Sequence, residues 1–486
     1  MSITKNDFLY LLICLFLVTA AVLAIGSHDP SVGLYAVLGS AGIAMVMAIV
    51  IKPSLGASIL IIAIFTNISS LLTNRGYPGL IKPLVVVVFA AIMVRNYYTG
   101  QAPKNRAKTA RIEMFLIFYL VAVAISYLVA SDKARALDAI LDLVKDIGII
   151  YAVLFALRKP SDWKQVIWVI ILTTAIVSLF GVYQVFTGNY AQNFFGLAAH
   201  KVDGSNIRLG GPIREPNMWG QVVLAVIPLI IFRIIHEPRK ITKLFGVGIL
   251  GILLIELFNT YSRGAYLGLV VITLLIMFVF EKNFNFKLAL VSLGAVLLIF
   301  SLLPSSYIER FASLASLSPA TENGIYQDSS FRGRSSELLT GLSIVARNPI
   351  LGVGAGNYPN NYQKYSQEIG IELRSEERDA HSLYLQIAAE TGILGLFSFL
   401  GIVGSLLVGL SKAVKSIEHL PQYQTWFPWI NALMVAILGY LVAAFFLHGA
   451  YIRYFWILIS LAITAIQLTD ELHKNAKYPI PRESDL

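Results

Sequence analysis

The sequence predicts an all-α, polytopic membrane protein with about 12–14 transmembrane helices and one large, partly helical loop. The 486 residues are 57% hydrophobic and only 14% charged, whereas a soluble protein carries about 25% charged residues. The apolar residues gather in runs of roughly 18–22, the length that crosses ~30 Å of hydrocarbon. One long polar stretch, residues 304–380, interrupts these runs. We therefore expect a single integral-membrane domain over residues 1–486, with a loop over 304–380 inserted before the twelfth span.

Fourteen apolar runs are candidate spans. In chain order they are Phe8–Ile25, Gly33–Ile51, Leu55–Thr73, Leu80–Val94, Ile112–Ala130, Leu137–Leu157, Val166–Thr187, Asn217–Phe232, Leu244–Tyr261, Ala265–Phe280, Leu288–Leu303, Ser382–Leu410, Phe427–Leu447 and Ile452–Leu468. The sixth is the least apolar, because its first half carries Asp138, Asp142, Lys145 and Asp146. Two interpretations are open for it: a helix that protrudes from the bilayer before entering it, or a polar stripe that faces a water-filled cavity.

The distribution of lysine and arginine predicts the orientation. If the N-terminus lies in the cytoplasm, every cytoplasmic segment between the predicted spans is basic, as the positive-inside rule requires. Both termini then face the cytoplasm, and the long loop 304–380 faces the opposite side. The net charge of +10 follows from these flanking residues and does not indicate nucleic-acid binding. The one cysteine, Cys14, excludes a disulfide within the chain and a cysteine-ligated metal site.

Three spans that run inward from the outer face begin beside arginine or histidine. Arg208 and Arg214 precede the eighth span, and Arg263 precedes the tenth. A helix N-terminus carries unsatisfied N–H groups and a partial positive charge, so an adjacent arginine completes a phosphate-binding site. The alternatives are that Arg263 extends to the lipid headgroups and that Arg208 and Arg214 are ordinary loop residues.

His381 opens the twelfth span, directly after the large loop. The positive helix end favours its neutral form, which is able to accept a proton; the alternative is an ordinary histidine at the membrane interface. Glu390 lies half a turn out of phase with His381, so we expect it to bond a neighbouring helix or line a cavity. Within the loop, residues 335–347 have the spacing of an amphipathic helix that ends before Pro349. The glycine-rich segment from Gly352 to Gly356 predicts a turn that folds the loop back onto the membrane.

Four motifs together resemble those of the O-antigen ligase and O-antigen polymerase family. They are Arg208 to Asn217, Ser262-Arg263-Gly264, Pro349-Ile-Leu-Gly352-Val-Gly354, and His381-Ser-Leu-Tyr-Leu385 with Glu390-Thr-Gly392. The resemblance covers roughly residues 200–400. It implies a glycosyltransferase of the bacterial inner membrane that uses no metal, cofactor or nucleotide sugar. The implied donor is a glycan on undecaprenyl diphosphate. The implied acceptor is a hydroxyl of lipid A–core, of another lipid-linked glycan or, in some relatives, of a protein.

The resemblance also implies roles for individual residues. His381 corresponds to the base that deprotonates the acceptor, and Arg208 and Arg263 to the arginines that hold the diphosphate. Arg214 matches no arginine of the family, and Arg332 and Arg334 both lie near a loop arginine of its members. Fourteen spans, where ligases commonly have about twelve, favour a polymerase. Membrane lipids, a flippase and a chain-length regulator are the expected partners.

Two other functions are open from the sequence. One is a transporter of a small solute such as bicarbonate, although transporters usually contain internal repeats and polar groups near the membrane midplane. The other is a scaffold for polysaccharide assembly, which would not need His381.

Overall fold

The computed structural model of this protein describes residues 42–99, 106–203, 206–277, 329–369, 377–447 and 453–477. The helices are α1 (Gly42–Ile51), α2 (Pro53–Phe65), α3 (Ile68–Thr73), α4 (Ile81–Thr99), α5 (Ala110–Ser126), α6 (Lys133–Ala156), α7 (Pro160–Thr187), α8 (Pro216–Ile235), α9 (Lys240–Asn259), α10 (Arg263–Leu275), α11 (Ser329–Arg347), α12 (Tyr358–Ile369), α13 (Leu383–Ile417), α14 (Phe427–Ala443) and α15 (Arg453–Lys477). The strands β1 (Ala199–Asp203) and β2 (Asn206–Gly211) pair antiparallel.

Eight helices of the described residues are long and apolar enough to cross a membrane: α4, α5 with its 3₁₀ extension, α7, α8, α9, α13, α14 and α15. The chain is therefore a multi-pass membrane protein, and the predicted all-α class is confirmed. Helices α1, α2 and α10 are apolar but shorter. The predicted spans Phe8–Ile25 and Leu288–Leu303 lie outside the described residues, so the total of 12–14 stays a prediction.

The third predicted span, Leu55–Thr73, is wrong as a single helix. The chain breaks between α2 and α3 at Asn67, whose φ of 49° lies in the left-handed region that a continuous helix cannot adopt. The Asn67 side chain donates a hydrogen bond to the carbonyl of Pro212 (3.0 Å). The break thus ties α2 and α3 to the segment that precedes α8.

The sixth predicted span is α6, which starts four residues earlier than predicted. Asp132 caps it by accepting a hydrogen bond from the Arg135 amide (3.1 Å), as N-cap aspartates do. Asp142 and Lys145 lie 2.6 Å apart and line a cavity between helices. The structure therefore favours the polar stripe that faces a cavity.

The hairpin β1–β2 lies in a region that the sequence analysis treated only as a loop. It packs on the first turns of α8 through Gly211, whose φ is 50°. A Cβ at Gly211 would lie 2.5 Å from the Trp219 ring, so glycine alone permits this approach. Trp219 is fully buried and donates its indole N–H to Glu256 of α9 (2.6 Å). The hairpin is thereby fixed against α8 and α9.

Candidate active site

Arg208 on β2 fastens the hairpin to two helix ends. Its Nε donates to the carbonyl of Thr260 (3.1 Å), and one terminal nitrogen donates to the side chain of Asn217 (2.7 Å) and, at 3.4 Å, to the carbonyl of Tyr261. The other terminal nitrogen lies 3.2 Å from the carboxylate of Asp203. The side chain is only 13% exposed. Arg208 therefore holds together β1, the start of α8 and the turn between α9 and α10.

Arg263 is the first residue of α10 and follows that same turn. Tyr261 has a φ of 53°, and the Ser262 hydroxyl caps the helix by accepting from the Ala265 amide (3.3 Å). The turn packs closely on α8, because a Cβ at Gly220 would lie 2.8 Å from the Thr260 hydroxyl. Arg208 and Arg263 thus lie on one hydrogen-bonded unit, which includes the positively charged N-terminal end of α10.

Arg214 occupies the tight turn between β2 and α8, with a φ of 66°. Its amide donates to the carbonyl of Gly210 (2.9 Å), while its side chain is exposed. Its environment therefore differs from that of the largely buried Arg208, although the two lie only six positions apart in the sequence.

His381 lies at the start of α13 beside a carboxylate that the sequence analysis missed. Its Nε2 is 3.7 Å from Oε2 of Glu337, which is 1% exposed, whereas the His381 side chain is 33% exposed. Arg378 contacts the other carboxylate oxygen at 2.8 Å. His381 has a φ of 44°, unusual for a residue with a side chain, and Ser382 caps the helix that follows. A partly exposed imidazole is thus backed by a buried, ion-paired glutamate.

Glu337 belongs to α11, and α12 fixes it there. The Tyr358 hydroxyl donates to the Glu337 carbonyl (2.6 Å), and burial raises the pKa of this phenol, so that it remains a proton donor. The Ser336 and Tyr362 hydroxyls lie 2.8 Å apart. A Cβ at Gly341 would meet Leu385 at 2.5 Å, so α11 packs directly on the first turn of α13. The large loop thereby carries Glu337 to His381.

Glu390 anchors the glycine-rich turn to α13. Its carboxylate accepts hydrogen bonds from the amides of Gly356 (2.9 Å) and Tyr358 (3.3 Å), and its carbonyl accepts from the amide of Gly354 (2.9 Å). At Gly392 the helix breaks, with a φ of 66° and a ψ of −164°. The predicted turn is present, and Glu390 bonds both this turn and Tyr358, the first residue of the neighbouring helix α12.

The arginine and histidine ends meet on one short segment, residues 441–446, at the C-terminal end of α14. A Cβ at Gly264, next to Arg263, would lie 3.1 Å from Phe446. On the other side, Tyr384 donates its hydroxyl to the carbonyl of Leu441 (2.9 Å) and packs on Phe445 with ring centroids 4.4 Å apart. The first turns of α10 and α13 therefore flank residues 441–446, and the structure brings Arg208, Arg263 and His381 to one region.

The other two predicted site residues, Arg332 and Arg334, both lie on α11, the helix that carries Glu337. Their side chains lie outside the described part of the structure, so the choice between them stays open.

The predicted helix of the loop ends where expected, at Arg347 before Pro349, but its buried face is not the apolar one. Leu338 and Leu342 are 49% and 50% exposed, whereas Glu337, Thr340 and Ile344 are buried. These three share one helical face, since they are spaced i, i+3 and i+7. A polar residue on a face that also carries Ile344 is the one signal in the sequence that points to Glu337.

Comparison with known proteins gives a match to one family model. Residues 248–400 match the model described as O-antigen ligase, a range that includes Arg263, Glu337, His381 and Glu390 but not Arg208. A search of curated proteins finds no match. The resemblance that the motifs predicted is therefore confirmed over residues 248–400, which match the O-antigen ligase family model.

Proposed function

We propose that this protein transfers a glycan from undecaprenyl diphosphate to a sugar hydroxyl at the outer face of the bacterial inner membrane. The observation that carries the proposal is the meeting of two chemically different helix starts on residues 441–446. One presents Arg263 beside the Arg208 network, and the other presents His381 beside Glu337. A charged leaving group needs the arginines, and an acceptor hydroxyl that must lose its proton needs the histidine.

The arginine end suits a diphosphate leaving group. As the bond between the anomeric carbon and the phosphate oxygen breaks, negative charge develops on the diphosphate. Guanidinium groups neutralise this charge at any physiological pH and bind two oxygens at once. We assign direct contact with the diphosphate to Arg263. Arg208 adds a second positive charge and holds the turn that positions Arg263.

The histidine end suits activation of the acceptor. His381 removes the proton from the sugar hydroxyl, whose oxygen then attacks the anomeric carbon as the diphosphate departs. Glu337 faces Nε2 at 3.7 Å. We therefore assign the role of the base to Nδ1, while Nε2 carries a hydrogen that points toward the carboxylate. Catalytic contacts are often long before substrate binds. The buried carboxylate would stabilise the imidazolium that forms, and Arg378 would hold that carboxylate in place.

We also propose an orientation in the membrane and a class of acceptor. The orientation with both termini in the cytoplasm places residues 304–380 in the periplasm, as one loop of a single membrane domain. A second lipid-linked glycan as the acceptor makes the protein a polymerase, whereas lipid A–core makes it a ligase. A flippase supplies the donor, and a chain-length regulator acts only if the protein is a polymerase.

The test is transfer by the purified protein in nanodiscs. The lipid-linked glycan is purified from a strain that lacks the gene for this protein. It is added to the nanodiscs with and without lipid A–core. We expect release of undecaprenyl diphosphate together with a longer lipid-linked glycan or a glycosylated core. Wild-type protein that releases no undecaprenyl diphosphate under any of these conditions would contradict the proposal.

A further inference from the structure

A cavity of about 160 Å³ lies between the helices, beside both halves of the candidate site. Its walls come from α3, α6, α8, α14 and α15 together with the segments next to them. Most of the side chains that face it are polar or aromatic, and the main ones are Asn67, Ser70, Asp142, Lys145, Gln221, Tyr440, Arg453 and Tyr454. Polar side chains between membrane helices are costly and usually serve a ligand, an ion or water.

Two cations and two carboxylates lie in the lining of this cavity or directly behind it. Lys145 lies 2.6 Å from Asp142 and 3.7 Å from the buried carboxylate of Asp146, and Arg453 lines the cavity as well. A small anion such as bicarbonate or a diphosphate would meet the carboxylate of Asp142 there. An alkyl chain would desolvate these charges without replacing their hydrogen bonds. The lining therefore favours a ligand without net charge that carries both hydrogen-bond donors and acceptors.

The hydrogen bonds behind the lining hold it in one arrangement. Gln221 donates to the carbonyl of Tyr440 (2.9 Å), Ser70 donates to Asn67 (2.8 Å), and the Tyr454 hydroxyl donates to the carbonyl of Ile64 (3.1 Å). The cavity thus exposes amide, hydroxyl, carboxylate and ammonium groups beside two tyrosine rings, and the backbone that carries these groups is held in place. Such a set of few oriented polar groups among aromatic surfaces is typical of a preformed ligand pocket.

The position of the cavity relates it to the reaction. Met218 and Gln221 project from α8, whose second residue, Asn217, accepts a hydrogen bond from Arg208. Tyr440 is adjacent in sequence to Leu441, whose carbonyl accepts the hydroxyl of Tyr384 near His381. The cavity therefore borders the arginine end through α8 and the histidine end through α14.

We propose that this cavity binds one sugar ring of the glycan substrate. The ring hydroxyls would bond with Asp142, Lys145 and Gln221, while an apolar ring face would lie on a tyrosine. The inference rests on the proposed function, since it assigns the sugar rather than the diphosphate or the lipid tail to the cavity. It adds a specificity site that lies apart from His381 and Arg263.

The test measures binding of simple methyl glycosides to the purified protein in nanodiscs, by saturation-transfer NMR. The panel contains a hexoside, an N-acetylhexosaminide, a 6-deoxyhexoside and a hexuronide. We expect wild type to bind at least one of them. Asp142→Asn should weaken that binding at least about tenfold, through the loss of a charged hydrogen-bond acceptor. Met218→Trp, which fills the cavity without removing a charge, should weaken it as well.

The matched control is Asp138→Asn, which removes an exposed carboxylate one turn earlier on the same helix and should bind like wild type. Equal glycoside binding by all variants, or no binding by wild type, would overturn the inference. Displacement of the glycoside by sodium bicarbonate or inorganic diphosphate would also overturn it. His381→Gln should retain glycoside binding. A wild-type protein that binds glycosides but fails the transfer test would refute the proposed function and leave the sugar site standing.

Discussion

The arginine and histidine ends of the site are built in different ways. Arg208 and Arg263 sit on a turn and a hairpin that hydrogen-bond directly to the membrane helices α8 and α9. His381 has its partner carboxylate on α11, which belongs to the large loop. Helix α11 packs on α13, and the glycine-rich turn that follows it hydrogen-bonds to Glu390 of α13. The arginine end is therefore part of the membrane framework, whereas the histidine end is complete only when the loop is docked.

The largest expected effect that tests this contrast is at Arg263. Arg263→Ala should lower the transfer rate about 10²–10³-fold, the usual result of removing one group that stabilises transition-state charge. Arg263→Lys should lose most of the rate as well, because an ammonium cannot bind two phosphate oxygens as a guanidinium does. The measurement is initial transfer rate in nanodiscs at matched protein amounts. A wild-type transfer rate for Arg263→Ala would show that Arg263 does not bind the diphosphate leaving group.

Arg208 and Arg214 offer a matched pair of arginines six positions apart in the sequence. Arg208→Ala removes hydrogen bonds to Thr260, Tyr261 and Asn217, so it should lower both the transfer rate and the melting temperature. Arg214→Ala changes an exposed side chain and should leave stability within about 0.5 kcal/mol of wild type, with a mild effect on transfer. Thermal unfolding and transfer rates should be measured on both variants. Equal losses of transfer rate and melting temperature in the two variants would mean that the burial of Arg208 does not matter for function.

Glu337→Gln tests whether the loop contributes to the base. It keeps the shape of the side chain but removes the charge beside His381, so the transfer rate should fall by about tenfold or more. The acidic limb of the rate–pH profile should move to lower pH, because an uncharged neighbour no longer favours the imidazolium.

The control for this variant is Glu368→Gln on the neighbouring α12, where the glutamate pairs with Arg347 at the surface. It should change neither the rate nor the profile. A uniform drop in rate for Glu337→Gln without a shift of the profile would reduce Glu337 to a structural residue.

The smallest expected effect concerns the contact between α6 and the loop. The Arg135 amide, as the main cause, lowers the pKa of Asp132, and the Asp132 amide donates to Asn357 of the loop (2.7 Å). A lowered pKa in the folded state means that the carboxylate stabilises the fold above its unfolded pKa. This contribution is lost as the pH falls through the folded pKa.

Asp132→Ala should therefore melt slightly below wild type at neutral pH, and the difference should vanish in strong acid. Asp132→Asn, which retains a capping acceptor, should show less of this dependence in thermal unfolding followed by circular dichroism. A difference in melting temperature that grows on acidification would have the wrong sign for this carboxylate.

The sequence pointed to most members of the candidate site because they stand at helix starts, where composition changes abruptly. Arg208, Arg263 and His381 each precede a long apolar run, and their residue types suit charge neutralisation and proton transfer. The glycine-rich turn was predictable for a similar reason, since several closely spaced glycines permit positive φ values. Each of these signals is local in the chain.

Glu337 escaped prediction because its significance is not local. It lies 44 positions before His381 in the sequence, on a helix whose exposed residues include Leu338 and Leu342. Leucines usually mark the buried face of a helix, but on α11 the buried face carries Glu337 and Ile344 instead. The hairpin β1–β2 was missed as well, because its stability comes from the contacts of Arg208 and Gly211 rather than from alternating apolar residues.

The most direct test of the central claim is His381→Gln. Glutamine retains a hydrogen-bonding group but cannot take up a proton at neutral pH, and loss of a general base typically costs ~10²–10⁴ in rate. His419→Gln, the same substitution at an exposed histidine, is the control. Polymer or glycosylated core and the lipid-linked donor should be quantified in the same strains at equal protein levels. We predict that His381→Gln accumulates the donor and makes no detectable transfer product, while His419→Gln matches wild type. Normal amounts of product from His381→Gln would contradict a base at this position.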